Sequence, residues 1–118
     1  MSVRDRIVVV DDHAESATTL AEILSLDGFD VRTAFDGENA LAVIAEHSPI
    51  CVLTDINMPK LNGFELAKRL RESYDNDIVL IAITGWGDRD AIVSPPYDVF
   101  SHTLRKPINI EAVRKILR

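Results

Sequence analysis

Short apolar runs alternate along the chain with amphipathic stretches. Ile7-Val8-Val9-Val10 is a β-branched run closed by Asp11-Asp12, the form of a buried central strand. Ala14, Ala17, Leu20, Ala21 and Leu24 then recur at helical spacing, and Asp27-Gly28 stops that helix. Phe29 to Thr33 reads as a second strand with Val31 at its centre. Asp36-Gly37 makes a turn into a helix carrying Ala40, Leu41, Val43, Ile44 and Ala45, which Pro49 bounds. A third strand, Ile50 to Thr54, gives way to a loop from Asp55 to Asn62. Gly63 then opens a helix with Phe64, Leu66, Ala67 and Leu70. Ile78 to Ile83 is the strongest strand signal and ends at Thr84-Gly85. After it the pattern weakens. Asp88 to Val93 has room for a turn or two of helix before Pro95-Pro96, and Val99 to Leu104 makes a poor fifth strand. Ile110, Val113, Ile116 and Leu117 form a last amphipathic helix.

Strand and helix alternate five times with short connections. This predicts an α/β fold, a doubly wound sheet of five parallel strands with helices on both faces. Buried parallel strands read as continuous apolar runs, and such sheets bind ligands at the carboxyl ends of their strands. A single domain spanning residues 1–118 is expected, with no output domain.

Composition narrows the partners. Thirteen basic against 19 acidic residues give a net charge of −6, which disfavours direct nucleic-acid binding or attraction to an anionic membrane. The single cysteine, Cys51, lies in an apolar run and reads as a small hydrophobe. No apolar stretch approaches membrane-spanning length, and the first residues are too polar for a signal peptide, so a cytoplasmic protein is expected.

Polar residues mark four strand ends: Asp11 and Asp12, Asp55, Thr84 and Lys106. In a parallel sheet these share one edge. Three carboxylates crowded there would repel, and a hard divalent cation such as Mg2+ would relieve them. A hydroxyl and an ammonium alongside suit a phosphoryl group, and a carboxylate can itself serve as the nucleophile.

With these residues in this order, the chain resembles the receiver domain of two-component response regulators from Arg6 to Leu117. The carrying motifs are Asp11-Asp12, Asp55-Ile56-Asn57-Met58-Pro59 with Gly63, Thr84-Gly85, and Lys106-Pro107. The resemblance implies a (βα)5, flavodoxin-like sheet. It implies that Asp55 accepts a phosphoryl group from a phosphohistidine on a histidine kinase or phosphotransfer protein. Asp12, Asp55 and the backbone carbonyl of Asn57 would bind Mg2+, with Asp11 helping through water. Thr84 would move to the phosphoryl oxygens, Lys106 would pair with them, and the Lys106-Pro107 bond would be cis. Positions matching Asn57 and Trp86 often tune phosphoryl loss in this family.

Two positions depart from the family pattern. Thr103 stands where a Tyr or Phe usually precedes the lysine by three residues, so motion on activation is expected to concentrate between Thr84 and Val93. Pro95-Pro96 falls in a region often used for partners. Thr84-Gly85-Trp86-Gly87 is similar to receivers attached to hybrid histidine kinases.

Taken singly, each site residue has a plainer role, as a capping aspartate, a strand-end threonine or a solvated lysine. His13, His47 and His102 show no metal-ligand spacing, and the charges of the last helix read as a solvated face. The alternatives are a receiver-like interaction module that works without phosphorylation, and a Mg-dependent aspartyl-phosphate phosphohydrolase. The second would need an acid where Asn57 stands. A flavodoxin-type cofactor binder would need a hydroxyl- and glycine-rich cradle after the first strand, which is missing.

Overall fold

The computed structural model describes residues 5–58, 60–74, 77–85 and 99–117. The order is β1 (Arg6–Val10), α1 (Ala14–Leu26), β2 (Asp30–Ala34), α2 (Gly37–His47), β3 (Cys51–Asp55), α3 (Gly63–Tyr74), β4 (Val79–Thr84), β5 (His102–Arg105) and α4 (Ile110–Leu117). Five parallel strands lie in the order β2-β1-β3-β4-β5. The helix expected at Asp88 to Val93, Trp86 and Pro95-Pro96 lie outside the described residues.

Alternation along the strands divides the core in two. Val8, Val10, Val52, Leu80 and Ala82 face one way, against Ala40 and Ile44 of α2 and Leu66, Ala67 and Leu70 of α3. Ile7, Val9, Cys51, Leu53, Ile81 and Ile83 face the other way, against Ala17, Leu20 and Leu24 of α1 and Val113 of α4. Every residue of β3 is buried, because helices cover both of its faces and strands flank both of its edges. Burial also pushes the Cys51 thiol up to about 12, so it stays protonated and acts as a small hydrophobe.

Several boundaries differ from the sequence reading. β3 runs one residue further, so Asp55 is its last strand residue and pairs in register with Ile83. β5 begins only at His102. Val99 and Phe100 pack on the α2–α3 face instead, where Phe100 meets Phe64 edge-on at 6.0 Å. Arg71 of α3 anchors this turn, donating to the carbonyls of Val99 (2.9 Å) and Ile78 (2.8 Å).

The charges of the last helix are not all a solvated face. Arg114 grips Asp27, beyond the end of α1, with two hydrogen bonds of 2.7 and 3.1 Å, and also pairs with Glu111. A bidentate guanidinium–carboxylate pair has the fixed geometry that single surface ion pairs lack.

Two glycines permit close approach around the β3–α3 connection. A Cβ on Gly37 would lie 2.5 Å from the Leu61 carbonyl oxygen. A Cβ on Gly63 would collide with the Asp55 carbonyl oxygen and come within 2.8 Å of the Ile56 Cα. Asn62 and Glu65 close the start of α3 with reciprocal side-chain-to-backbone bonds of 3.0 and 3.1 Å, a capping box. Gly63→Ala is therefore expected to cost about 1–3 kcal/mol through backbone overpacking. Urea unfolding measures it, and a loss no larger than that of an exposed-surface substitution would show that the loop yields freely.

Candidate functional site

β1 and β3 are neighbours in register, Val10 opposite Thr54, so the residues that follow Val10 lie beside Asp55. The Asp11 N–H continues the sheet by donating to the Ala34 carbonyl at 3.1 Å, and its Oδ1 accepts from the His13 N–H at 2.9 Å. Asp11 and Asp55 are buried, whereas the Asp12 side chain is 27% exposed. Lys106 comes from the turn after β5. Its N–H donates to the Thr84 carbonyl at 2.8 Å, and its Nζ reaches Asp55 Oδ2 at 3.1 Å. The Lys106-Pro107 bond is cis.

These four strand ends therefore converge as the motif order implied. Asp11, Asp12 and Asp55 each offer an oxygen within 4.8 Å of the others, and His13 adds a ring nitrogen within the same distance. Asp12 Oδ1 is buried and makes no hydrogen bond among the described residues. Asn57 lies exposed in the loop after β3. Thr84 is fully buried, and its hydroxyl donates to the Leu104 carbonyl at 3.4 Å, toward β5. Thr103 is exposed on β5, opposite Ala82.

The electrostatics are unbalanced. Burial raises the Asp55 pKa above the ordinary carboxylate value; the hydrogen bond and charge of Lys106 pull it back only in part, and the charge of Asp11 adds to the rise. Burial works against the Lys106 ammonium, but the hydrogen bond to Asp55 and the charges of Asp55, Asp11 and Asp12 outweigh it and raise its pKa. Among the described residues, one partly exposed lysine thus faces three carboxylates. A bare buried acceptor, three hard oxygen donors and excess negative charge fit a small divalent cation such as Mg2+.

His13 is the residue that spacing failed to mark. It has no partner at a metal-binding interval in sequence; its only signal was its place directly after the acidic pair. His47, by contrast, is a core histidine, buried and hydrogen-bonded to the Asp30 carbonyl at 2.9 Å.

A family model for the response regulator receiver domain matches residues 7–118. The chain belongs to the receiver family. Among curated relatives, the transcriptional regulatory protein CpxR of Klebsiella pneumoniae is 33% identical over 118 residues, covering 97% of this chain and 50% of the relative. A probable transcriptional regulator, ycf27, of Guillardia theta is 33% identical over 122 residues, covering all of this chain and 47% of the relative. The chain spans about half the length of these curated relatives. Among solved structures, a receiver domain protein from Clostridium thermocellum superposes with a TM-score of 0.87 at 27% identity, covering 95% of this chain and 90% of the other. The response regulator TrrA of Thermotoga maritima, solved in complex with Mg2+-BeF, gives 0.84 at 26% identity and covers 96% of each chain. This receiver is a signalling domain rather than a classical enzyme. Among the described residues no helix is long and apolar enough to cross a membrane.

The raised pKa of Asp55 carries a prediction. A carboxyl whose folded-state pKa lies above its unfolded value binds its proton more tightly when folded. The resulting penalty is absent below the unfolded pKa, appears as pH rises through the two values and is full at neutral pH. Asp55→Asn should therefore unfold a few degrees higher than the wild type at pH 7 in metal-free buffer, with the gap closing below pH 4. Lys106 loses its partner in this variant but is 37% exposed and can hydrate. A lower melting temperature at pH 7 would mean that the Lys106 pair outweighs the burial cost.

Proposed function

We propose that Asp55 is the phosphoacceptor of a two-component phosphorelay. In this reading residues 1–118 act as one cytoplasmic switch that signals to another protein, without binding nucleic acid directly. The single observation that carries the proposal is the Asp55 carboxylate, buried at the end of a central strand and 3.1 Å from Lys106 Nζ, within an acidic cluster.

Asp12, Asp55 and the backbone carbonyl of Asn57 would hold Mg2+, with Asp11 acting through water. The ion would offset carboxylate charge and orient phosphoryl oxygens. The bare Asp12 Oδ1 supports this donor set, and TrrA was solved with Mg2+-BeF. The donor would be a phosphohistidine on a histidine kinase or phosphotransfer protein. A P–O bond forms at Asp55 while the donor's P–N bond breaks, and the imidazole leaves with the bonding pair and takes up a proton. A cleft of about 450 Å3, lined in part by Asp11, Glu15, Thr19, Leu20, Lys106 and Ile108, opens beside the acidic cluster.

Lys106 balances charge on the transferred group. Thr84 would leave the Leu104 carbonyl and donate its hydroxyl to a phosphoryl oxygen, coupling chemistry at Asp55 to the β4–β5 edge.

Intact mass after incubation with acetyl phosphate tests this reading. One phosphoryl group should be gained with Mg2+ present, and none with chelator or in Asp55→Asn. Lys106→Ala should slow the gain on the order of 10²-fold, the usual loss for one charge-stabilising donor. Neither mass gain nor released phosphate would favour an interaction module that works without phosphorylation.

Metal removal gives a second check. Mg2+ should raise the melting temperature of the wild type by stabilising only the folded state, and Asp12→Ala should abolish the increment. An equal increment in both would place the ion elsewhere.

A further inference from the structure

His13 adds a different kind of donor to the carboxylate cluster. It occupies the N-cap of α1, where a side-chain oxygen ordinarily accepts from an N–H of the first turn. Among the described residues its side chain makes no capping hydrogen bond. The ring turns back instead, placing Nδ1 3.3 Å from Asp12 Oδ1 and 3.5 Å from Asp11 Oδ1. The approach to Asp12 Oδ1 lacks hydrogen-bond geometry. Neighbouring ligands on an octahedral ion with bonds of ~2.1 Å stand about 3 Å apart, close to the separation of His13 Nδ1 from Asp12 Oδ1. A ring nitrogen of His13 and oxygens of Asp11, Asp12 and Asp55 all lie within 4.8 Å of one another.

Resting on the metal site proposed above, we infer that His13 is a nitrogen ligand that tilts this site from Mg2+ toward first-row transition ions such as Mn2+ and Co2+. Mg2+ is hard, retains its waters and gains little from imidazole. Transition ions accept nitrogen donors, and their affinities for mixed nitrogen and oxygen sites rise along the series from Mn2+ to Cu2+. The His13 side chain is 73% exposed, so the ring can close on a transition ion or swing aside for a hydrated Mg2+. The same carboxylates then serve both ions, and His13 sets the preference between them.

Pulsed EPR of the Mn2+-loaded chain, with competitive titration of Mn2+ against Mg2+, tests the inference. The wild type should show ¹⁴N coupling from one imidazole. His13→Ala should lose that coupling and weaken Mn2+ roughly tenfold, the low end for removing a group that supports a metal centre, with Mg2+ affinity little changed. Binding that depends on Asp12 and Asp55 but shows no nitrogen coupling, with the same Mn2+/Mg2+ ratio in His13→Ala, would overturn the role of His13 and leave the metal site standing. Coupling that persists in the Asp12→Ala/Asp55→Asn double variant would put the nitrogen at another site and also overturn it. Absence of both Mn2+ and Mg2+ binding would overturn the metal site itself.

Discussion

The carboxylate of Asp55 sits at the end of a strand from which water is excluded, and the rest of the molecule is arranged around that constraint. All of β3 is buried, and its register with β1 carries Asp11 and Asp12 to the same edge. Like charges so close, in a medium less polar than water, oppose folding. They persist because the two apolar clusters on opposite faces of the sheet hold β3 in place. The stability of those clusters offsets the unfavourable charge at the edge.

Lys106 relieves the crowding only partly. Among the described residues it is the cation that meets Asp55, its backbone is pinned to Thr84, and more than a third of its side chain remains in solvent. An edge so weighted toward negative charge responds strongly to an added cation. Adding a phosphoryl group to Asp55 would change the partners of Lys106 and Thr84 together, since both reach the β4–β5 edge. A local change of charge thus acts on strand ends instead of a flexible tail.

The surrounding connections show the same economy. Gly63 lets the start of α3 lie against the Asp55 backbone, and Gly37 lets α2 approach Leu61 in the loop between. The loop that follows the phosphoacceptor candidate is therefore clamped by two helices. On the opposite face the Arg114–Asp27 pair ties α4 to the end of α1, closing the second core from outside.

Periodicity alone carried much of this. The apolar runs marked β1, β3 and β4, the helical spacing marked α1 to α3 and the last helix, and their alternation implied a parallel sheet, because burial and repeat are local properties of a sequence. The convergence of Asp11, Asp12, Asp55, Thr84 and Lys106 followed from the rule that parallel strands share one carboxyl edge. What packing decided is of another kind. Val99 and Phe100 left the fifth strand because α3 offered them Phe64 and the apolar face around it. Arg114 found Asp27 across 87 residues, a pairing that no local pattern encodes. His13 met the carboxylates only because its ring turned back from an uncapped helix end. Sequence determined which residues would be buried and which edge would be charged. Tertiary structure alone decided which side chains touch there, because contact depends on how elements distant in sequence pack.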